Sequence, residues 1–104
     1  MIKRIVKLSF QPEKIADFLT VFEQSKKNIS NFDGCHHLEL FRCTAPNNLF
    51  FTYSFWENEA ALNAYRHSEF FQATWRKTKV LFNDRPEAWS VEVASAVKIH
   101  PEKS

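Results

Sequence analysis

Glycine is almost missing from this chain of 104 residues: Gly34 is the only one. Loops that cradle phosphates need two or more glycines at fixed spacing, so a P-loop and a dinucleotide-binding fingerprint are excluded. Cysteine occurs twice, too seldom for a four-thiolate zinc site. Cys35 and Cys43 stand eight residues apart on one expected strand, or ~26 Å at ~3.3 Å per residue, which is out of reach of an internal disulfide. No nucleophile pair is evident around either, and strand burial accounts for both. Long apolar runs are lacking too. No stretch approaches the ~20 apolar residues of a membrane span, and charge interrupts residues 1–7 too often for a secretory leader. A cytoplasmic protein is expected. Nor does one sign of charge dominate: 14 basic and 12 acidic residues, net +2, are mixed along the chain, leaving no polybasic tract for nucleic acid or anionic lipid.

What the chain does have is aromatic bulk. Eleven Phe, three Trp and two Tyr make it 15% aromatic, enough to bury a sizeable core in one domain without staples. That domain is expected to cover 1–96, with a polar tail over 97–104. Between 2 and 10, Val6, Leu8 and Phe10 alternate with Lys7 and Ser9, the period of a strand with one buried face. Pro12, tolerated in a first helical turn, opens a helix predicted to about 30 on the spacing of Ile15, Phe18, Leu19, Phe22 and Ile29. Gly34 follows where a left-handed residue usually ends a helix. A strand over 35–43, a turn at Ala45-Pro46-Asn47-Asn48 and a strand over 49–56 form a hairpin. The last of these is apolar on both sides, with Phe51, Tyr53 and Phe55 alternating with Phe50 and Trp56, so it should be central and covered twice. Asn58 can cap a short helix carrying Ala61, Leu62 and Tyr65. After Ser68 a longer helix is predicted from the spacing of Phe71, Thr74, Trp75, Thr78 and Phe82, and a fourth strand from Trp89, Val91 and Val93.

The order β-α-β-β-α-β is the ferredoxin-like arrangement of the α+β class: a four-stranded antiparallel sheet, strands one and three central, helices on one face. The aromatics on the helix-free face then need a second layer, and the chain has no element left to supply it. A homodimer through the helix-free sheet face is the expected answer. Which of the two apolar faces of the third strand meets the partner stays open at this stage.

Gly34-Cys35, Leu38-Glu39-Leu40, Arg42 and Pro46, then Trp56-Glu57-Asn58-Glu59-Ala60-Ala61-Leu62, Ser68 and Phe71, resemble the antibiotic biosynthesis monooxygenase family of dimeric α+β barrels, over about residues 2–94. The Trp-x-x-x-x-Ala-Leu block and the Ser-x-x-Phe after it are the most specific part. The resemblance implies a cofactor-independent monooxygenase, an oxidoreductase acting on a small aromatic phenol or quinol. It also implies a cavity between sheet and helices bordered by Trp56. Haem-degrading relatives carry an axial histidine where this chain has Trp75 and an asparagine where it has Val6; indole cannot ligate iron, so no haem is expected. Quinol-type relatives have a histidine at the position of Tyr65 and a glutamate at that of Ser54. The alternative is a non-catalytic dimeric binder of small molecules with the same fold.

The substrate-binding candidates are therefore Trp56, Tyr65, Phe71, Trp75 and Val6, and the catalytic candidates Trp56, Tyr65 and His37. Each also has a plainer reading. An aromatic stripe at helical spacing is usually core, a tyrosine is a poor base near neutrality, and a lone strand histidine is usually at the surface. His37 shares a strand face with Glu39 and Phe41. His67, ~200° around a helix from Tyr65, should face solvent. His36 and His37 point to opposite sides of a strand and His100 lies in the tail, so no metal site is expected. An RNA-binding module has the same element order and displays aromatics on its third strand, but residues 47–53 lack the basic residue and glycine of its signature.

Overall fold

β1 (Ile2–Ser9), β2 (Cys35–Arg42), β3 (Leu49–Trp56) and the shorter β4 (Glu87–Val91) form one antiparallel sheet in the order β2-β3-β1-β4. The structure is a computed structural model and describes residues 1–99; His100 and the end of the tail, 101–104, lie outside the described residues. β1 and β3 are central, as the two-sided apolar pattern of β3 requires. Three helices pack on one face: α1 (Ile15–Ser30), entered through a 3-10 turn at Pro12–Lys14, α2 (Glu59–Arg66) and α3 (Glu69–Lys79).

Register decides which side chains meet the helices. Leu8 opposes Phe50, Val6 opposes Thr52 and Arg4 opposes Ser54 on the covered face. Lys7, Ile5 and Lys3 oppose Phe51, Tyr53 and Phe55 on the other. On β3, Phe50, Ser54 and Trp56 are buried under the helices, while Phe51, Tyr53 and Phe55 lie half-buried on the helix-free side. Trp89 and Val91 of β4 continue that side, opposite Ile5 and Lys3.

The tightest packing surrounds Phe10. It stacks on Phe18 with centroids 4.0 Å apart, and both meet Phe50 edge-on at 5.7 and 5.2 Å. Leu8 and Leu81 complete the buried cluster. The segment after α3 is tied down here by backbone hydrogen bonds, Gln11 N to Leu81 O at 3.0 Å and Asn83 N to Ser9 O at 3.1 Å.

Four boundaries differ from the sequence expectation. Phe82 fits the helical spacing but lies beyond α3, because the chain leaves the helix at Val80 and bridges back to Phe10. Phe10 itself is that isolated bridge rather than part of β1. β2 ends at Arg42, before Cys43, and β4 ends at Val91, leaving Val93 outside with no partner strand to lengthen the ladder.

Among the described residues Gly34 is the one position with a positive φ, 85°, a conformation that costs any side chain energy. Space forbids one as well: a Cβ here would stand 2.5 Å from the Cβ of Ala61. The Gly34 carbonyl accepts from Glu57 N at 2.8 Å, so the lone glycine ties the start of β2 to the corner between β3 and α2. That corner carries Trp56.

Candidate functional site

Between the helices and the middle of the sheet lies a cavity of about 350 Å³. Its size follows from short side chains on the covered face. Where Leu8 and Phe50 fill the layer at one end, Val6, Thr52 and Ser54 leave it open. Thr74, Thr78 and Ser25 face the same space from α3 and α1. Thr78 and Ser25 spend their hydroxyls on their own helices, donating to Thr74 O at 2.8 Å and Val21 O at 2.7 Å. They add room without adding free polar groups.

The wall is aromatic. Trp56, 1% exposed, stacks on Tyr65 with centroids 4.9 Å apart and planes at 21°. Tyr65 meets Phe71 edge-on at 5.1 Å, and Phe71 lies parallel to Trp75 at 6.0 Å and 8°. Trp56 Nε1 donates to Ser54 Oγ at 3.0 Å, which locks the indole against the sheet and satisfies its N–H. Local sequence sets the angle between the helices. Asn58 Oδ1 accepts from Ala61 N at 2.9 Å to start α2. Ser68 Oγ accepts from Phe71 N at 3.1 Å to start α3 and donates to Tyr65 O at 2.6 Å. One hydroxyl thereby fixes both Tyr65 and Phe71.

Val6, Trp56, Tyr65, Phe71 and Trp75 all line this cavity. His37 does not. It lies on the helix-free face, its Nε2 2.6 Å from Glu39 Oε1 and its ring 4.6 Å from Phe55. The face it shares with Glu39 was legible, but the helices cover the opposite one. His37 is therefore withdrawn from the catalytic candidates on geometry: the whole sheet separates it from Trp56 and Tyr65. His67 faces solvent, with Nδ1 2.7 Å from Asn63 O. Cys35 and Cys43 are free thiols, and burial raises the Cys35 pKa. Among the described residues no group of three or more His, Cys, Asp or Glu is placed to hold a metal ion.

Burial, and secondarily the neighbouring Cys35, push the Tyr65 pKa well above its ordinary value. The phenol stays neutral near pH 7 and can orient a ligand by hydrogen bonding, not abstract its proton. Among the described residues the Tyr65 phenol makes no hydrogen bond, while its backbone carbonyl accepts from Ser68 Oγ. Arg4 and Arg66 also border the cavity and were missed from sequence. The signal for Arg4 was present: it falls in phase with Val6 and Leu8, a charge on an otherwise apolar strand face.

Fold and site together define a ferredoxin-like α+β protein with an aromatic-walled cavity between sheet and helices. The chain belongs to the antibiotic biosynthesis monooxygenase family, whose profile matches residues 1–77. That match stops before β4, short of the span to about 94 expected from the sequence. The solved structure of an antibiotic biosynthesis monooxygenase superposes with a TM-score of 0.86 at 18% identity, over 91% of this chain and 100% of that one. A Caulobacter crescentus protein assigned provisionally to the same family gives 0.82 at 21%, over 90% of each chain. A conserved protein of Methanosarcina mazei Go1 gives 0.83 at 16%, over 86% of this chain and 89% of that one. At these identities the likeness shows the fold. No curated protein matches the chain in sequence. Among the described residues no helix is long and apolar enough to cross a membrane.

Proposed function

We propose that the cavity binds a small, flat aromatic phenol or quinol and that the protein is a monooxygenase drawing both electron pairs from that substrate. The observation that carries the reading is the stacked wall: Trp56 on Tyr65 and Phe71 parallel to Trp75 line a mostly apolar space of about 350 Å³, the chemistry of a site for a planar ring. In the balanced reaction a substrate RH2 and O2 give the oxygenated product RO and water. The substrate loses two hydrogens and gains one oxygen atom, and the second oxygen atom leaves as water. The protein's part is to hold the ring, exclude water and favour the electron-rich anion.

A second reading, binding without turnover, has its own support. Among the described residues no histidine lines the cavity, Tyr65 is held neutral, and the one carboxylate residue bordering it, Glu87, pairs in register with Lys7 and so points to the helix-free face. Oxygen uptake with a panel of hydroquinones, catechols and anthrones separates the two, followed alongside tryptophan quenching. Uptake that falls in the Trp56→Phe and Tyr65→Phe variants supports the enzyme. Saturable quenching without uptake on any substrate supports the binder, and neither signal refutes both.

We further infer that the helix-free face joins a second copy of the chain. It carries Phe51, Tyr53 and Phe55 flanked by Phe41 and Trp89, each of the latter 44% exposed, and by Val91 at 40%. Such a patch is larger than monomers usually leave open. Light scattering should give twice 12.3 kDa at micromolar concentration; a particle of the single-chain mass would overturn the dimer. A submicromolar RNA complex lost on changing Phe51 or Tyr53 would give that face to nucleic acid instead.

A further inference from the structure

Two guanidinium groups border the cavity, Arg4 from β1 and Arg66 from the last turn of α2. Arg4 stands on the covered face, half-buried, and Arg66 is exposed at the rim. Covering a cation is costly unless an anion or hydrogen bonds compensate it. Among the described residues neither has a carboxylate oxygen within 4.0 Å. Arg4 makes a single side-chain hydrogen bond, Nη1 to the neutral Ser90 hydroxyl at 3.0 Å. Burial first, then the charge of Arg66, pull the Arg4 pKa down, with Glu59 acting the other way. The two cations therefore sense each other, with only partial relief from Glu59. Glu87 is on the far face of the sheet, and the carbonyl end of α2 eases Arg66 only modestly.

We propose that Arg4 and Arg66 form an anion clamp at the rim of the cavity, and that the ligand is an aromatic carboxylate, its ring against the aromatic wall and its acid group between the guanidiniums. The inference rests on the reading that the cavity takes an aromatic ring, and it names the class of that ring. Guanidinium matches a planar carboxylate through paired N–H donors. Among the described residues the lining offers no other cationic group, so the charge of an anionic ligand belongs at the end where the arginines are.

The test compares 2-naphthoate with its neutral counterpart 2-naphthamide, by calorimetry and tryptophan quenching. The acid should bind the native chain about tenfold more tightly at low salt. That preference should shrink as salt rises, because Arg66 is solvent-exposed. Arg66→Gln and Arg4→Gln should each remove most of it while leaving the amide unchanged. Lys77→Gln, an exposed cation of α3 away from the cavity, should alter neither. Equal binding of acid and amide by the native chain would overturn the clamp while leaving the aromatic cavity standing. So would a preference that persists in Arg66→Gln, which decides the matter even if Arg4→Gln does not fold. Binding of neither probe would refute the cavity reading, and the clamp with it.

Discussion

The layer between sheet and helices has two halves built from the same kinds of residue. Around Phe10, rings from β1's end, α1 and β3 close on one another, and Phe10, Phe18 and Phe50 are 0, 3 and 1% exposed. Between Val6 and Trp56 the rings stand in a row along one wall and leave a hollow. The aromatics do not make the difference. Their neighbours do: Leu8 faces Phe50 across the β1–β3 register in the closed half, whereas Val6 faces Thr52 and Arg4 faces Ser54 in the open one. Stability is concentrated where large meets large, and the room for a ligand where small meets small.

The strongest test of that contrast is deletion of a ring from each half. Phe10→Ala should cost about 3–5 kcal/mol in chemical denaturation, since it empties a site packed on all sides. Phe71→Ala should cost clearly less, because one side of that ring already faces the hollow. Equal losses would erase the distinction. Next in size is the hinge that aligns the open half. Gly34→Ala meets both a left-handed backbone and Ala61, for a loss of about 1–3 kcal/mol. It should also weaken ligand quenching through the displaced Trp56 corner.

Much of this architecture was legible because it is local. Alternation marked the strands, Asn58 and Ser68 marked their helices, and Gly34 marked the turn. What failed was where a local rule continued past its physical cause. The helical spacing ran on to Phe82, whose real anchor is a bridge to Phe10, and strand alternation ran on to Val93, where no pairing supports it. In the site, five aromatic and apolar positions could be placed because each carried a helical or strand phase. Arg4 escaped because the strand over 2–10 was read on its apolar members Val6, Leu8 and Phe10 alone, and Arg66 because an exposed helical arginine looks solvated. His37 was assigned its correct strand neighbours but to the cavity, since no local pattern tells which face the helices will cover.

The open half should also respond to alkali. With the folded pKa of Tyr65 raised, the native state keeps its proton at a pH where the unfolded chain has lost it. Stability is therefore full below the ordinary phenol value of ~10 and falls as pH rises beyond it. Denaturation midpoints measured between pH 8 and 11 should decline for the native chain and less steeply for Tyr65→Phe. An identical decline would mean that the phenol is not shielded from water.

The smallest expected effect on stability is the most discriminating. Val6 and Leu8 lie on the same strand and the same face, two residues apart, and both border the hollow, but Leu8 belongs to the closed cluster whereas Val6 only packs against it. Enlarging each to Phe adds volume to neighbouring parts of one layer. At Leu8, 3% exposed, the closed cluster fills the space on every side but the one toward the hollow, and overpacking should cost about 1–3 kcal/mol. At Val6 they enter space that is already there, so the change should stay within about 1 kcal/mol of zero, the added apolar burial offsetting the loss of side-chain freedom. Ligand quenching should behave oppositely, falling only in part in the folded fraction of Leu8→Phe, which borders one end of the hollow, and vanishing in Val6→Phe. A Val6→Phe variant that is strongly destabilised, or that still binds, would mean that the hollow beside Val6 is not where the ligand sits.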